Sequence, residues 1–195
     1  MSFHIFVRKL FKILKNNLLL FQDVYDISIK EENMKKLIEG LVPLAKQNLE
    51  SHGHIATAIL CFDKHNHLIA PVLMEIPGDD RAKRAMLLKF GQFCKGQKYS
   101  KVAVILDCAT RHIATKEEYQ HIIENYDTER PTIYPKSMRK EAIVLVGINL
   151  NDGKRVMAMQ EYSKDDKKKI HYGEYTFSDD APGLIPDSII QGYNL

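Results

Sequence analysis

The chain has 195 residues, 45% of them apolar and 27% charged, a balance that supplies one sizeable core and excludes both wholesale disorder and a membrane bundle. Its 28 basic and 25 acidic residues leave a formal charge of +3, too small for a long-range field that would by itself imply nucleic acid. The three cysteines, Cys61, Cys94 and Cys108, lie far apart with no paired spacing, which reads as buried reduced thiols in a cytoplasmic protein rather than a disulfide framework.

Near the start, Phe3, Phe6, Val7, Leu10, Phe11, Leu14 and Leu18 recur at helical spacing, with Arg8, Lys12 and Lys15 on the opposite side. This predicts an amphipathic basic helix within an arm spanning 1–27, docked on the domain or on a second copy; its Lys/Arg-plus-aromatic face also suits peripheral membrane contact through 3–21. The run Leu18 to Phe21 is too short for a signal sequence, and no stretch approaches a transmembrane span.

A single domain is expected over 28–177. Ser28 with Glu31 reads as a capping box for a helix whose apolar stripe is Met34, Leu37, Ile38, Leu41, Ala45 and Leu49; Pro43 should kink or divide it, and Gly53 should end it. Ile55 to Phe62 and Leu68 to Ile76 read as a hairpin turning at Asp63 to His67. Asp79 or Asp80 can cap the next helix, with Ala82, Ala85, Met86, Phe90, Phe93 and Cys94 as its stripe and Gly96 as its stop. Val102 to Cys108 is a strand, and Thr115 with Glu118 suggests a short helix reaching Tyr126.

From Asp127 to Lys140 periodicity is lost, which predicts an exposed loop. Glu141 to Phe177 then reads as a three-stranded antiparallel meander, with turns at Asn151-Asp152-Gly153 and at Ser163 to Lys168. Ala142 to Leu150 is apolar on both alternating faces, the mark of a central strand covered on both sides. Residues 178–195 mix Pro182, Gly183 and Pro186 with Leu184, Ile185, Ile189 and Ile190, and suggest a tail laid on the domain in extended form. The fold class is therefore α+β: a mainly antiparallel sheet of about six strands, built from a hairpin, a strand and the meander, with helices on one face or, alternatively, on both.

Chemistry is harder to find. His52, His54, Glu75 and Asp79, with Asp80, form a possible divalent-metal set, because the hairpin brings the end of its second strand back beside the start of its first. Such a set would suit a metal-assisted hydrolase, although helix caps and strand-end polarity explain each member separately. His65 and His67 cannot complete it: a strand rising about 3.3 Å per residue holds them about 26 Å from His52 and His54. A Cys108–His112 nucleophile pair is conceivable beside Asp107, but alternation puts Cys108 on the face of Val102, Val104 and Leu106, turned inward. Arg130, Lys136, Arg139 and Lys140 around Tyr134 could grip nucleic-acid phosphates, or could simply be solvated. The common nucleotide-binding and hydrolase motifs, and Cys-x-x-Cys, are missing from the sequence.

Arg130-Pro131, Ser137, Arg139, Glu141-Ala142, the strand that follows and its Asn151-Asp152-Gly153-Lys154 turn are similar to a pattern in uncharacterised bacterial conserved hypothetical proteins of α+β type. The resemblance spans Leu44 to Glu174; it implies a helix, a hairpin and a second helix before the meander, and brings no activity with it. The expectation is a small cytoplasmic protein-binding or assembly module without catalysis or cofactor, using its sheet, its arm or its apolar tail to contact a protein partner or itself.

Overall fold

The computed structural model describes residues 34–55, 57–73, 76–110, 117, 120, 121 and 140–195. Helix α1 (Met34–His52) buries Met34, Leu37, Ile38, Leu41, Ala45 and Leu49, the stripe set by the helical period of the sequence. Pro43 does not divide it. Pro43 and Glu39 are both exposed, so the Glu39 carbonyl that loses its N–H partner faces water. Gly53, at a φ of +72°, ends the helix by donating its N–H to the Leu49 carbonyl at 2.7 Å.

Strands β1 (Ala58–Phe62) and β2 (Leu68–Leu73) form the expected hairpin. Helix α2 (Asp80–Gly96) follows, and Asp79 caps it by accepting the Ala82 N–H at 2.6 Å. Its buried residues are Leu87, Phe90, Gly91 and Cys94; Met86 and Phe93 are half-buried, whereas Ala82 and Ala85 are exposed. Next come β3 (Lys101–Thr110), β4 (Lys140–Asn149), β5 (Arg155–Lys164) and β6 (Ile170–Ser178). The six strands make one sheet in the order β2-β1-β3-β4-β5-β6, with each neighbouring pair antiparallel.

Helices cover both faces of the sheet. On one side α1 packs with Leu60, Phe62, Ala103, Ile105, Ile143, Leu145, Val156, Ala158 and Tyr162 in a single buried cluster. On the other, α2 and the last helix meet Ile59, Cys61, Val102, Val104, Val144, Val146 and Ile148. The physical reason lies in β4, whose residues from Ala142 to Ile148 are all buried: each such aliphatic side chain gains about 1.5–3 kcal/mol from burial, so neither face can be left in water. Gly147 lets α1 approach closely, since a Cβ there would stand 2.7 Å from Met34 Sδ.

The chain end is also helical rather than extended: α3 spans Leu184–Asn194. Pro182, Gly183 and Pro186 mark its start, because proline costs nothing in a first turn whose N–H groups have no partner. Gly183, with a φ of +146°, takes a conformation open to glycine, and Asp187 reaches back to its N–H at 3.2 Å. Ile189 is fully buried, with Ile185, Ile190 and Tyr193 packed around it.

Both edge strands carry an extra residue. On β6, Gly173 and Glu174 together oppose Glu161, between the pairs Tyr162–Tyr172 and Gln160–Tyr175. This bulge resets the alternation, so Ile170, Tyr172, Tyr175 and Phe177 all pack on the α1 side. Gln160 Nε2 donates to the Gly173 carbonyl at 3.0 Å. On β2, Ile69 is the extra residue, between the pairs Phe62–Leu68 and Cys61–Ala70, and Pro71 removes a backbone donor two residues on.

No helix among the described residues is long and apolar enough to cross a membrane. The helix expected over 3–18 and the Ser28–Glu31 capping box lie outside the described residues. Of the helix expected from Thr115 to Tyr126, only Glu117, Gln120 and His121 are described, all three helical and exposed.

Candidate functional site

The metal set is dispersed into local roles. His52 Nδ1, at the exposed end of α1, lies 3.1 Å from the Asn48 carbonyl, and His54 Nδ1, exposed just beyond the helix, lies 3.1 Å from the His52 carbonyl. Asp79 is occupied as the α2 cap, and Asp80 accepts from Lys83 Nζ at 2.7 Å. Glu75 lies outside the described residues. Among the described residues no group of three or more His, Cys, Asp or Glu side chains is placed to hold a metal ion.

His65 and His67 belong to the β1–β2 turn. Asp63 Oδ1 accepts the His65 and His67 N–H groups at 2.8 and 2.9 Å, and Oδ2 lies 3.1 Å from His67 Nδ1. The β5–β6 turn repeats this design: Asp165 Oδ1 accepts the Lys167 and Lys169 N–H groups at 3.0 and 2.8 Å, and Oδ2 meets His171 Nε2 at 3.0 Å. Asn66 and Lys168 occupy the matching left-handed positions, at φ +63° and +62°. Slight burial works against ionised Asp63, but hydrogen bonds from His67 and His65 hold its carboxyl below the ordinary range. His171 and then the Lys169 N–H do the same for Asp165.

Of the basic loop, Arg130, Lys136 and Arg139 lie outside the described residues. Lys140 opens β4 and pairs with Glu161 Oε2 at 2.7 Å. Cys108 faces inward as its alternation requires, packing with the α2-side cluster. Burial, and then the charge of Asp107, push its thiol up to about 11, so at neutral pH it is a protonated side chain and a poor nucleophile. His112 lies outside the described residues.

What the structure does assemble is a clamp at the sheet end where α1 passes into β1. Tyr162, 4% exposed, donates its hydroxyl to Asp107 Oδ1 at 2.8 Å. The other Asp107 oxygen accepts the Ile55 N–H at 3.3 Å. Lys164 Nζ donates to the Gly53 carbonyl at 2.6 Å and stands 3.7 Å from Glu141 Oε2. A lysine at that point also complements the negative end of the α1 dipole. Burial, Asp107 and Glu141 raise Tyr162 well above the usual phenol range, which makes it a permanent donor rather than an acid or base. Its chemistry is positioning: three side chains hold both ends of Gly53-His54-Ile55. Sequence reasoning missed the clamp because only the registers of β3 with β4 and β4 with β5 bring Asp107 and Tyr162 together.

Comparison of the chain with protein-family models, curated proteins and solved structures gives no match.

Proposed function

We propose that the chain is a cytosolic assembly module that contacts a second copy of itself through its amphipathic segment, residues 3–21. The observation that carries this reading is that the other two surfaces of the protein are already committed. Both sheet edges are interrupted, by the Ile69 bulge with Pro71 on β2 and by the Gly173–Glu174 bulge on β6, and bulges and prolines are devices that prevent edge pairing. From the C-terminal helix, Ile185, Ile189, Ile190 and Tyr193 pack with α2 and the sheet. Among the described residues, the large hydrophobic side chains left exposed are Ile69 and Leu195, while the sequence between Phe3 and Leu18 repeats seven apolar residues at helical spacing, a stripe suited to self-association. The free thiols of Cys61, Cys94 and Cys108 support a reducing compartment.

No observation favours metal-assisted hydrolysis, since the described members of the metal set are occupied in the fold. Of the basic-loop set only Lys140 is among the described residues, and it is paired with Glu161. The test is sedimentation velocity of the full chain across concentrations, beside a Leu10→Glu, Leu14→Glu variant. The reading expects a concentration-dependent dimer that the variant loses. A monomer at every concentration, or one that instead co-sediments with anionic lipid vesicles, overturns it.

A further inference from the structure

The chain contains one Asp-Gly step, Asp152-Gly153, and no Asn-Gly. It sits at the tip of the β4–β5 turn, where the Asn149 N–H donates to the Lys154 carbonyl at 2.8 Å and the Gly153 N–H to the Asn149 carbonyl at 2.9 Å. Asp152 is exposed. Its Oδ1 accepts the Lys154 N–H at 2.9 Å, which folds the carboxyl forward over the peptide that joins it to Gly153. Glycine lacks the Cβ that would obstruct approach to that carboxyl carbon, and at φ +71° it occupies a position other residues rarely adopt.

From this geometry we infer that Asp152 is a covalent modification site, at which the native turn converts aspartate to isoaspartate. In the first step the turn opens enough to release the Gly153 N–H from the Asn149 carbonyl, and the Gly153 backbone nitrogen attacks Asp152 Cγ; the N–H proton and the hydroxyl of the protonated carboxyl leave as one water, and a five-membered succinimide closes. In the second step water adds to the former main-chain carbonyl, the ring opens, and the chain continues through the side-chain carboxyl. Water is lost and regained, so mass is unchanged and no oxidant or reductant is consumed. The product adds one methylene to the backbone of the turn and frees a new carboxylate there. No other aspartate combines a following glycine with a carboxyl held forward on the backbone by its own turn: Asp63 precedes Lys64 and Asp165 precedes Asp166.

The experiment incubates the folded full chain at mildly acidic and neutral pH, digests it with trypsin, and separates the peptide 141–154, in which Asp152 is the only aspartate. The expected result is a second chromatographic species of identical mass that accumulates with time, shows isoaspartate fragments under electron-transfer dissociation, and is lost in an Asp152→Glu variant. Asparagine deamidation in the same peptide would raise the mass and is thereby set apart. If the folded chain yields no isobaric species in 141–154, or if the species persists in Asp152→Glu, the inference fails. It also fails if isomerisation appears only after the chain is unfolded in urea.

Discussion

Gly91 and Gly192 mark the close crossing of α2 and α3. A Cβ on Gly91 would lie 2.2 Å from the Ile189 carbonyl oxygen, and one on Gly192 would lie 2.1 Å from that of Leu88. In both cases the obstacle is backbone, so neither helix can yield by turning a side chain. Alanine gains about 0.8–1 kcal/mol of helix propensity over glycine, but overpacking here costs about 1–3 kcal/mol or more, and the steric term wins. Gly91→Ala and Gly192→Ala should each lower the urea midpoint, whereas Gly96→Ala, with nothing within 4 Å of its Cβ, should leave it unchanged or raise it. Equal effects at all three positions would show that the crossing is looser than the structure describes.

How much of this was legible follows from the range of each signal. Periodicity acts over a turn or two, and it identified the whole α1 stripe from Met34 to Leu49 and the two-sided burial of β4. Turn chemistry is equally local, and Asp63, Asp152-Gly153 and Asp165 all do what their neighbours imply. The α3 helix was misread because Pro182, Gly183 and Pro186 break structure in isolation yet open a helix when they fall at its first turn. The β6 bulge was invisible because the spacing of three from Tyr172 to Tyr175 breaks a period of two, and only pairing with Glu161 shows where the extra residue goes. Likewise the Asp107–Tyr162 bond needs two strand registers that no local pattern encodes.

The paired aspartate turns contribute to the acid limb of stability. Asp63 and Asp165 are both held below the ordinary aspartate value of 3.8 in the folded chain. A carboxyl depressed on folding contributes stability that is fully present above its unfolded value and is lost as pH falls through its folded value. The loss therefore belongs to the window below about pH 4. In urea titrations, Asp63→Asn and Asp165→Asn should lower stability near neutrality and flatten the wild-type decline in acid. If the variants keep the full acid decline, the turns are not its source.

Tyr162 and Tyr175 allow the same deletion to be made in two environments. Removing the Tyr162 hydroxyl strips Asp107 of a donor at a junction where the carboxylate also holds Ile55. A hydrogen bond to a charged group contributes about 1.5–3 kcal/mol, and partial exposure of Asp107 reduces that. Tyr162→Phe should therefore destabilise by about 1–2 kcal/mol. It should also speed hydrogen exchange at the Ile55 amide, and in a double-mutant cycle its cost should largely vanish once Asp107 is alanine. Additive costs would mean that the two residues act independently.

Tyr175 gives the opposite expectation. Its hydroxyl is buried without a hydrogen-bond partner, as is Gln160 Oε1 on the facing residue. Burial, with the Glu39 charge, raises the phenol, so it stays protonated and pays desolvation without return. Deleting an unsatisfied buried donor removes that penalty, about 1–3 kcal/mol in the general case, and keeps the ring packed against the α1-side core. Tyr175→Phe should therefore leave the unfolding midpoint unchanged or raise it, while Tyr162→Phe lowers it. A loss at Tyr175 comparable to that at Tyr162 would mean that the hydroxyl is satisfied in solution, through a bridge to Gln160 Oε1. In that case Gln160→Leu should abolish the cost of Tyr175→Phe, which makes the two substitutions together the decisive measurement.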